Sequence, residues 1–111
     1  MSDARTTQKV YRIDKFKVPV EARSEFLERV HMTHAILRTL PGFAQDLVLE
    51  QTGGPGVFNF VTVAIWASPA AVEHAKEVVT TKHRDSGFNP KDVLKRLNVE
   101  ADVAYHTEVH T

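Results

Sequence analysis

The chain has 111 residues, no cysteine, and 14 basic and 14 acidic side chains, so its formal net charge is zero. This length predicts one domain over residues 9–111, preceded by a frayed tail over residues 1–8. Balanced charge argues against a nucleic-acid partner, and the lack of cysteine excludes zinc ribbons, thiol catalysis and disulfides. No stretch reads as a signal peptide or a bilayer span. We therefore expect a cytoplasmic protein with no membrane partner.

The first half of the chain predicts a strand, a helix and a second strand. Residues 9–18 alternate between two faces, as a strand does. Pro19 opens a helix that runs to about Thr39 and stops before Pro41-Gly42. The second strand is predicted over residues 43–52. One side of it is expected to carry Phe43, Leu47 and Leu49.

The most apolar stretch of the chain covers residues 57–67 and predicts a central strand. Its β-branched and aromatic residues suit a strand, and neither of its faces is polar. A strand that is apolar on both faces must be covered on both. Ser68-Pro69 then opens a second helix to about Lys82, since serine caps and proline suits the first helical position.

The remaining residues complete an α+β pattern. A loop is predicted over residues 84–88, a short helix from Asn89-Pro90, and a half-exposed strand over residues 99–109. The resulting order, βαββα(α)β, predicts a ferredoxin-like sandwich with an antiparallel sheet. Helices cover only one face of such a sheet. A second copy of the chain is the simplest cover for the other face, which predicts a homodimer packed sheet against sheet.

Two motifs carry a resemblance to a known family. Pro41-Gly42-Phe43 and Ile65-Trp66-Ala67-Ser68, with the alanine- and histidine-bearing helix that follows, resemble the antibiotic biosynthesis monooxygenase family. The resemblance covers roughly residues 10–105. It implies a dimeric α+β barrel with a cavity between sheet and helices for a small planar ligand. That family includes cofactor-independent oxygenases of quinols and anthrones, haem-degrading enzymes and signal-molecule isomerases.

The chain also departs from the family pattern. Family members often have a histidine nine residues after the tryptophan, where this chain has Ala75, and His74 lies one place earlier. Haem-degrading members use a strand-one asparagine, a second tryptophan and a later iron-binding histidine. Here Asp14 takes the strand-one place, no second tryptophan exists, and His83 falls only near the histidine position. The resemblance therefore disfavours haem degradation and leaves haem binding open.

Two residues are candidate catalytic bases. Asp14 lies on the strand face that is expected to be buried, and a partly desolvated carboxylate can accept a proton. Its alternative role is a salt bridge with Arg12 or with a helix residue. His34 follows Val30 by one helical turn, so it is expected to point inward and is the preferred base among the histidines. Its alternative role is a hydrogen-bonded histidine at the edge of the core.

Four further residues are candidates for substrate binding: Trp66, Asn59, His74 and Phe16. Trp66 is expected to wall the cavity or to fill the core. Asn59 would orient a ligand carbonyl or lie at the strand end. His31 and His34 are three apart, and Glu28-x-x-His31 is unpaired, so no metal site is expected. Gly53–Gly56 precedes a strand rather than a helix, which argues against a phosphate-binding loop.

Together these features favour a cofactor-independent monooxygenase acting on a small phenolic, quinol or anthrone-like aromatic. The base would remove a proton from the substrate, and the anion would react with dioxygen directly. Two alternatives remain. One is a module that binds a small aromatic molecule or haem without catalysis, and the other is an isomerase of a small metabolite.

Overall fold

The computed structural model describes residues 8–109, so most of the expected tail over residues 1–8 lies outside the described residues. The elements are β1 (Val10–Lys17), a 3₁₀ turn (Val20–Ala22), α1 (Arg23–Leu37), β2 (Phe43–Glu50), β3 (Phe60–Trp66), α2 (Pro69–Ser86), α3 (Pro90–Arg96) and β4 (Glu100–His106). None of the helices in this part of the chain is long and apolar enough to cross a membrane.

The four strands form one antiparallel sheet in the order β2-β3-β1-β4. This order and the helices on one face confirm the predicted α+β ferredoxin-like fold. β3 lies inside the sheet between β2 and β1, as its apolar sequence predicts. Its residues alternate between buried and half-buried, with Phe60, Thr62, Ala64 and Trp66 on the buried side.

The core beneath the helices is divided into two clusters. The first centres on Phe26 of α1, which packs against Phe16 and Phe60 with ring centroids 4.9 and 5.3 Å away. The second centres on Trp66 and includes Val72 and Ala75 of α2. Helix α1 serves both clusters, through Val30 for the first and Leu37 for the second. His34 lies between these two positions on the same helical face, and it is buried.

Gly42 explains the close approach of the α1–β2 turn to helix α2. Its φ of +81° is in the left-handed region, which glycine adopts without strain. A Cβ built at Gly42 would lie 2.4 Å from the Cβ of Ala71. The Gly42 carbonyl also accepts a 2.7 Å hydrogen bond from the Ala67 N–H. The Pro41-Gly42 turn therefore fixes how the end of α1 meets the start of α2.

The opposite face of the sheet is apolar and is not covered by any helix of residues 8–109. Val63 lies at its centre, with Ile13 beside it on β1 and Leu47 beside it on β2. Leu47 and Leu49 are 41% and 48% exposed. We call this surface, made of Ile13, Leu47, Leu49, Val61, Val63 and Ile65, the open face.

A β-bulge contradicts the prediction that Phe43, Leu47 and Leu49 share one side of β2. The register shifts between Phe43 and Gln45. Phe43 consequently packs edge-on against Trp66 under the helices, with ring centroids 5.3 Å apart, while the two leucines lie on the open face. The extra residue also turns Asp46 toward the helices.

Several predicted boundaries were wrong. α2 continues to Ser86 and ends at Gly87, whose φ of +70° makes it the C-terminal cap, so part of the predicted loop at 84–88 is helical. The central strand begins at Phe60 rather than Val57, which is 66% exposed. The last strand ends at His106 rather than Val109, since no β1 residue lies opposite it beyond Tyr11.

Candidate active site

A groove separates the helices from the sheet between the two core clusters. It consists of two adjoining cavities of about 280 and 200 Å³. Trp66, Ala75 and Tyr105 line the larger cavity, and Phe16, Phe26 and Val103 line the smaller. Residues common to both cavities are Arg12, Asp14, Thr33, His34, Thr62 and Pro90. The two predicted bases therefore lie in one groove, together with two of the four predicted binding residues.

One row of residues across the sheet forms the floor of this groove. Ala64 of β3 pairs with Arg12 of β1 and with Asp46 of β2, and Arg12 pairs in turn with Tyr105 of β4. Strands lie roughly 4.8 Å apart, so the Cα atoms of Arg12 and Asp46 are separated by about 10 Å. The small side chain of Ala64 between them leaves room for a ligand.

His34 forms a hydrogen-bonded pair with Asp46 at one side of the groove. Nδ1 of His34 lies 2.8 Å from Oδ2 of Asp46. Arg38 donates to the same carboxylate, with Nη2 2.7 Å from Oδ2 and Nε 3.2 Å from Oδ1. The side chains of His34 and Asp46 are only 7% and 13% exposed. Both side chains are thus largely shielded from water, and His34 lines both cavities.

The charge on Asp46 determines which nitrogen of the neutral His34 ring carries the proton. Hydrogen bonds from Arg38 lower the pKa of Asp46, and the hydrogen bond with His34 acts in the same direction, against the opposing effect of burial. An ionised carboxylate can only accept hydrogen bonds, so Nδ1 of His34 carries the proton. In the neutral ring Nε2 is then unprotonated. Among residues 8–109, Asp46 is the one hydrogen-bond partner of the His34 imidazole.

Asp14 forms an ion pair with Arg12, the alternative that its position on β1 had left open. Nε of Arg12 lies 3.1 and 3.2 Å from the two carboxylate oxygens. Nη1 of Arg12 donates to the hydroxyl of Tyr105 at 3.2 Å. Asp14 is only 14% exposed, against 39% for Arg12. This pairing supports a role for Asp14 in holding Arg12 and makes it a weaker candidate base than His34.

Trp66 and Phe16 supply the apolar ends of the groove. Trp66 is 3% exposed and belongs to the second core cluster, yet it also lines the larger cavity. Phe16 is 8% exposed and lines the smaller one. Trp66 and Phe16 therefore both pack in the core and line the groove, which are the two roles that the sequence suggested for Trp66.

Asn59 and His74, which the sequence predicts as substrate-binding residues, do not line either of the two cavities. The side chain of Asn59 accepts from the Val18 N–H at 2.8 Å and donates to the Val18 carbonyl at 2.9 Å. It thus ties the end of β1 to the residue before β3. His74 is exposed, whereas Ala75 beside it is buried. One residue turns a helix by about 100°, which carries His74 away from the sheet.

Asn59→Ala should destabilise the fold without weakening ligand binding. The substitution removes two hydrogen bonds and leaves the backbone groups of the buried Val18 unpaired, which costs about 1–3 kcal/mol. Urea denaturation measures the loss. Thr52→Ala is the matched control, because Thr52 is exposed in the same β2–β3 connection and should change stability by less than about 0.5 kcal/mol. A stable Asn59→Ala protein that no longer bound ligand would restore Asn59 to the site.

The remaining histidines contribute one further group to the groove. His83 lines the larger cavity, and its ring packs edge-on against Phe88 with centroids 5.1 Å apart. His31 is exposed on the outer side of α1 and does not share a face with His34. Within residues 8–109 no three His, Cys, Asp or Glu side chains are grouped closely enough to hold a metal ion.

Four residues in or beside the groove were not identified from the sequence as functional. Asp46 stood in a strand beside two leucines, and only the bulge brings it to the helix side. Tyr105 and Lys76 lie on elements distant in the chain, and Nζ of Lys76 is 4.7 Å from the centre of the Tyr105 ring. Arg12 was considered only as a partner for Asp14. A usable signal was present in β1, where Arg12 and Asp14 interrupt the apolar face between Val10 and Phe16.

Comparison with known proteins identifies the fold. No protein-family model matches the chain, and no curated protein matches it either. Among solved structures it is similar to SnoaB, a cofactor-independent oxygenase from Streptomyces nogalater, with 20% identity over 94% of this chain and 96% of that one and a TM-score of 0.67.

Two further solved structures are similar over most of their length. MhuD, a haem-degrading protein from Mycobacterium tuberculosis, is 23% identical over 92% of this chain and 97% of that one, with a TM-score of 0.64. A conserved protein from Methanosarcina mazei is 13% identical over 92% and 94% of the two chains, with a TM-score of 0.68. The chain therefore has the α+β fold of the antibiotic biosynthesis monooxygenase family, as the resemblance in its sequence implies.

Proposed function

We propose that this protein is a cofactor-independent monooxygenase that oxidises a small phenolic, quinol or anthrone-like aromatic, with His34 as its general base. The observation that carries the proposal is the His34–Asp46 pair on the wall of the groove. A buried histidine whose Nδ1 hydrogen-bonds an ionised carboxylate has Nε2 left as the nitrogen that can accept a proton when the ring is neutral, and His34 lines both cavities. The fold neighbours include one oxygenase that works without a cofactor, which supports the same reaction class.

In this proposal His34 begins the reaction by accepting an acidic proton from the substrate. Asp46 stabilises the imidazolium that forms, as the carboxylate does in a serine protease triad. Arg38 keeps Asp46 ionised throughout. The substrate becomes an electron-rich carbanion or phenolate. Such an anion can transfer an electron to dioxygen, and the resulting radicals combine into a substrate hydroperoxide.

For an anthrone-like substrate the chemistry balances without an added reductant. A methylene group reacts with dioxygen to give a carbonyl group and water. One oxygen atom enters the product and the other leaves in water, and the four electrons that reduce dioxygen come from the two C–H bonds. His34 first returns its proton to the peroxide anion that the two radicals form, which gives the hydroperoxide. It then accepts the second C–H proton as the O–O bond breaks and passes it to the departing hydroxide, which leaves as water. The protein supplies the base, the orientation and an apolar groove lined by Trp66 and Phe16.

Oxygen uptake tests the proposal. Purified protein should consume one dioxygen per molecule of dithranol, a dihydroxyanthrone added from an organic stock solution, faster than the spontaneous oxidation of dithranol in the same buffer. Mass spectrometry after reaction under ¹⁸O₂ should find one labelled oxygen in the product. Heat-denatured protein measures the background. If native and denatured protein give equal uptake with dithranol and with simple quinols, the oxygenase proposal fails and the binding-module alternative replaces it.

The proposal includes a homodimer formed through the open face. The six side chains of that face are aliphatic, and the charged residues Lys15 of β1 and Asp102 of the edge strand β4 lie opposite each other beside Val61. A second copy of the chain presents the same apolar surface and needs no complementary partner. Burial of aliphatic side chains at about 25 cal/mol per Å² would stabilise such a pair.

A second candidate function is a non-catalytic module for haem or another planar aromatic. The observation that favours it is the imidazole of His83 in the larger cavity, a group that can ligate iron. Titration with hemin separates the two proposals. A sharp Soret shift that disappears in His83→Ala, with no oxygen uptake on dithranol, would favour the module. A spectrum of hemin unchanged by the protein would remove it.

A further inference from the structure

Arg12 lines the groove with more hydrogen-bond donors than it has partners among residues 8–109. A guanidinium carries five N–H donors. The Nε–H is directed at Asp14, and one Nη1–H donates to Tyr105. The other donors have no partner among residues 8–109. Arg12 nevertheless lines both cavities and is less than half exposed.

The surroundings of Arg12 hold it still. Asp14 accepts from Nε with both oxygens, and the guanidinium carbon lies 5.6 Å from the centre of the Tyr105 ring. The ammonium of Lys76 also lies near this ring, 4.7 Å from its centre. Burial is the largest single effect and lowers the pKa of Arg12, but the ion pair with Asp14 and the hydrogen bonds with Asp14 and Tyr105 together raise it above its usual value. The cation is therefore positioned and permanently charged, with its remaining donors unsatisfied.

From this geometry we propose that Arg12 is the receptor for an oxyanion of the ligand, a carboxylate or an aromatic enolate oxygen. The proposal deepens the proposed function, since it uses the same groove, and it names the substrate class: a planar bicyclic or tricyclic aromatic with an anionic oxygen on one side and an acidic proton on the other. A guanidinium binds the two oxygens of a carboxylate through two parallel N–H donors, and it can direct the same donors at a single enolate oxygen. Asp14 and Tyr105 act on the ligand through Arg12 and are positioning residues.

The placement of the two polar sides of the groove supports this substrate class. Asp46, the hydrogen-bond partner of His34, and Arg12 both pair with Ala64, so the carboxylate that holds the base and the cation flank one small residue. Their Cα atoms lie two strand spacings apart, about 10 Å. A fused-ring aromatic above Ala64 can place its oxygen at Arg12 while its acidic proton faces His34. The negative charge that forms on deprotonation would then be stabilised by Arg12.

Calorimetric titration with two matched probes tests the proposal independently of turnover. 2-Naphthoate carries a carboxylate, and 2-naphthalenemethanol has the same rings with a neutral hydroxymethyl group. Wild-type protein should bind 2-naphthoate more tightly. Arg12→Gln should weaken 2-naphthoate binding by about tenfold to hundredfold and change 2-naphthalenemethanol binding by less than about threefold. Arg12→Lys, which keeps the charge and loses the fork, should fall between the two.

Arg84→Gln is the matched control for this experiment. It removes a guanidinium that is 73% exposed and does not line the groove, so both affinities should stay at the wild-type values. Equal loss of both probes in Arg12→Gln, an unchanged preference for the carboxylate, or no binding of 2-naphthoate at 1 mM overturns the proposal. Carboxylate binding through Arg12 without oxygen uptake on any anthrone would uphold it and refute the oxygenase function. Normal turnover and KM in Arg12→Gln would refute the role of Arg12 and uphold the oxygenase function.

Discussion

His34→Gln should lower turnover of an oxidisable anthrone by about 10²–10⁴-fold and leave the affinity for 2-naphthoate within about threefold of wild type. A positioned general base contributes a factor of this size. Glutamine can keep a hydrogen bond to Asp46 and fills much of the same volume, so the groove should keep its shape. Single-turnover oxygen uptake measures the chemical step, and calorimetry measures binding.

Three further variants show whether the effect belongs to the His34–Asp46 pair. Asp46→Asn should also lose turnover, because an amide can donate to Nδ1 and stabilise the wrong tautomer. Asp14→Asn should raise KM more than it lowers kcat, because Asp14 holds Arg12 rather than accepting the substrate proton. His31→Gln, on the same helix but exposed, should behave as wild type. Full turnover in His34→Gln with loss in Asp14→Asn would transfer the base to β1.

Periodicity was enough to predict the fold and the placement of both candidate bases. The two-sided apolar character of residues 57–67 indicated a central strand, and β3 lies inside the sheet. The helical spacing from Val30 placed His34 on the inner face of α1, where it is 5% exposed. A period of 2 or 3.6 residues fixes which side a side chain takes, and this is all that those predictions needed.

The hydrogen-bond partners of these residues could not be predicted, because they depend on a β-bulge and on strand pairing, and the periodicity of the sequence shows neither. Asp46 reaches His34 only because a bulge after Phe43 inserts one extra residue into β2. Strict alternation predicts Phe43 and Leu47 on one side of β2 and Asp46 on the other. In the structure, Phe43 and Asp46 lie on the helix side, and Leu47 lies on the open face. Tyr105 meets Arg12 through the pairing of β4 with β1, which are 93 residues apart in sequence at this contact.

Two predicted binding residues, Asn59 and His74, lie away from the two cavities for a different reason. Asn59 was the one strongly polar residue on its strand face, which suggested a ligand contact. In the structure, both the oxygen and the nitrogen of its side-chain amide form hydrogen bonds with the backbone of Val18. Asparagine often hydrogen-bonds backbone groups where a strand begins or ends. His74 was carried over from a family position that is one residue away. On a helix that single step moved the side chain from the sheet to solvent.

Val63→Glu should convert the proposed homodimer into a monomer, raising the dimer dissociation constant by about 10³-fold or more. Val63 is central on the open face, between Ile13 and Leu47. In a two-fold dimer the substitution occurs twice, and each copy would place an unpaired carboxylate against aliphatic side chains. In the monomer the same side chain faces water, so the fold itself should persist.

Sedimentation across a dilution series measures this effect, with circular dichroism to verify folding. Met32→Glu is the control, since it adds the same charge to an apolar residue of α1 that is 53% exposed. It should leave the dimer intact, because the helices lie on the other side of the sheet. A wild-type protein that sediments as a folded 12.5 kDa monomer at micromolar concentration would contradict the dimer. The open face would then need a different cover, because a bare aliphatic sheet of this kind is prone to association.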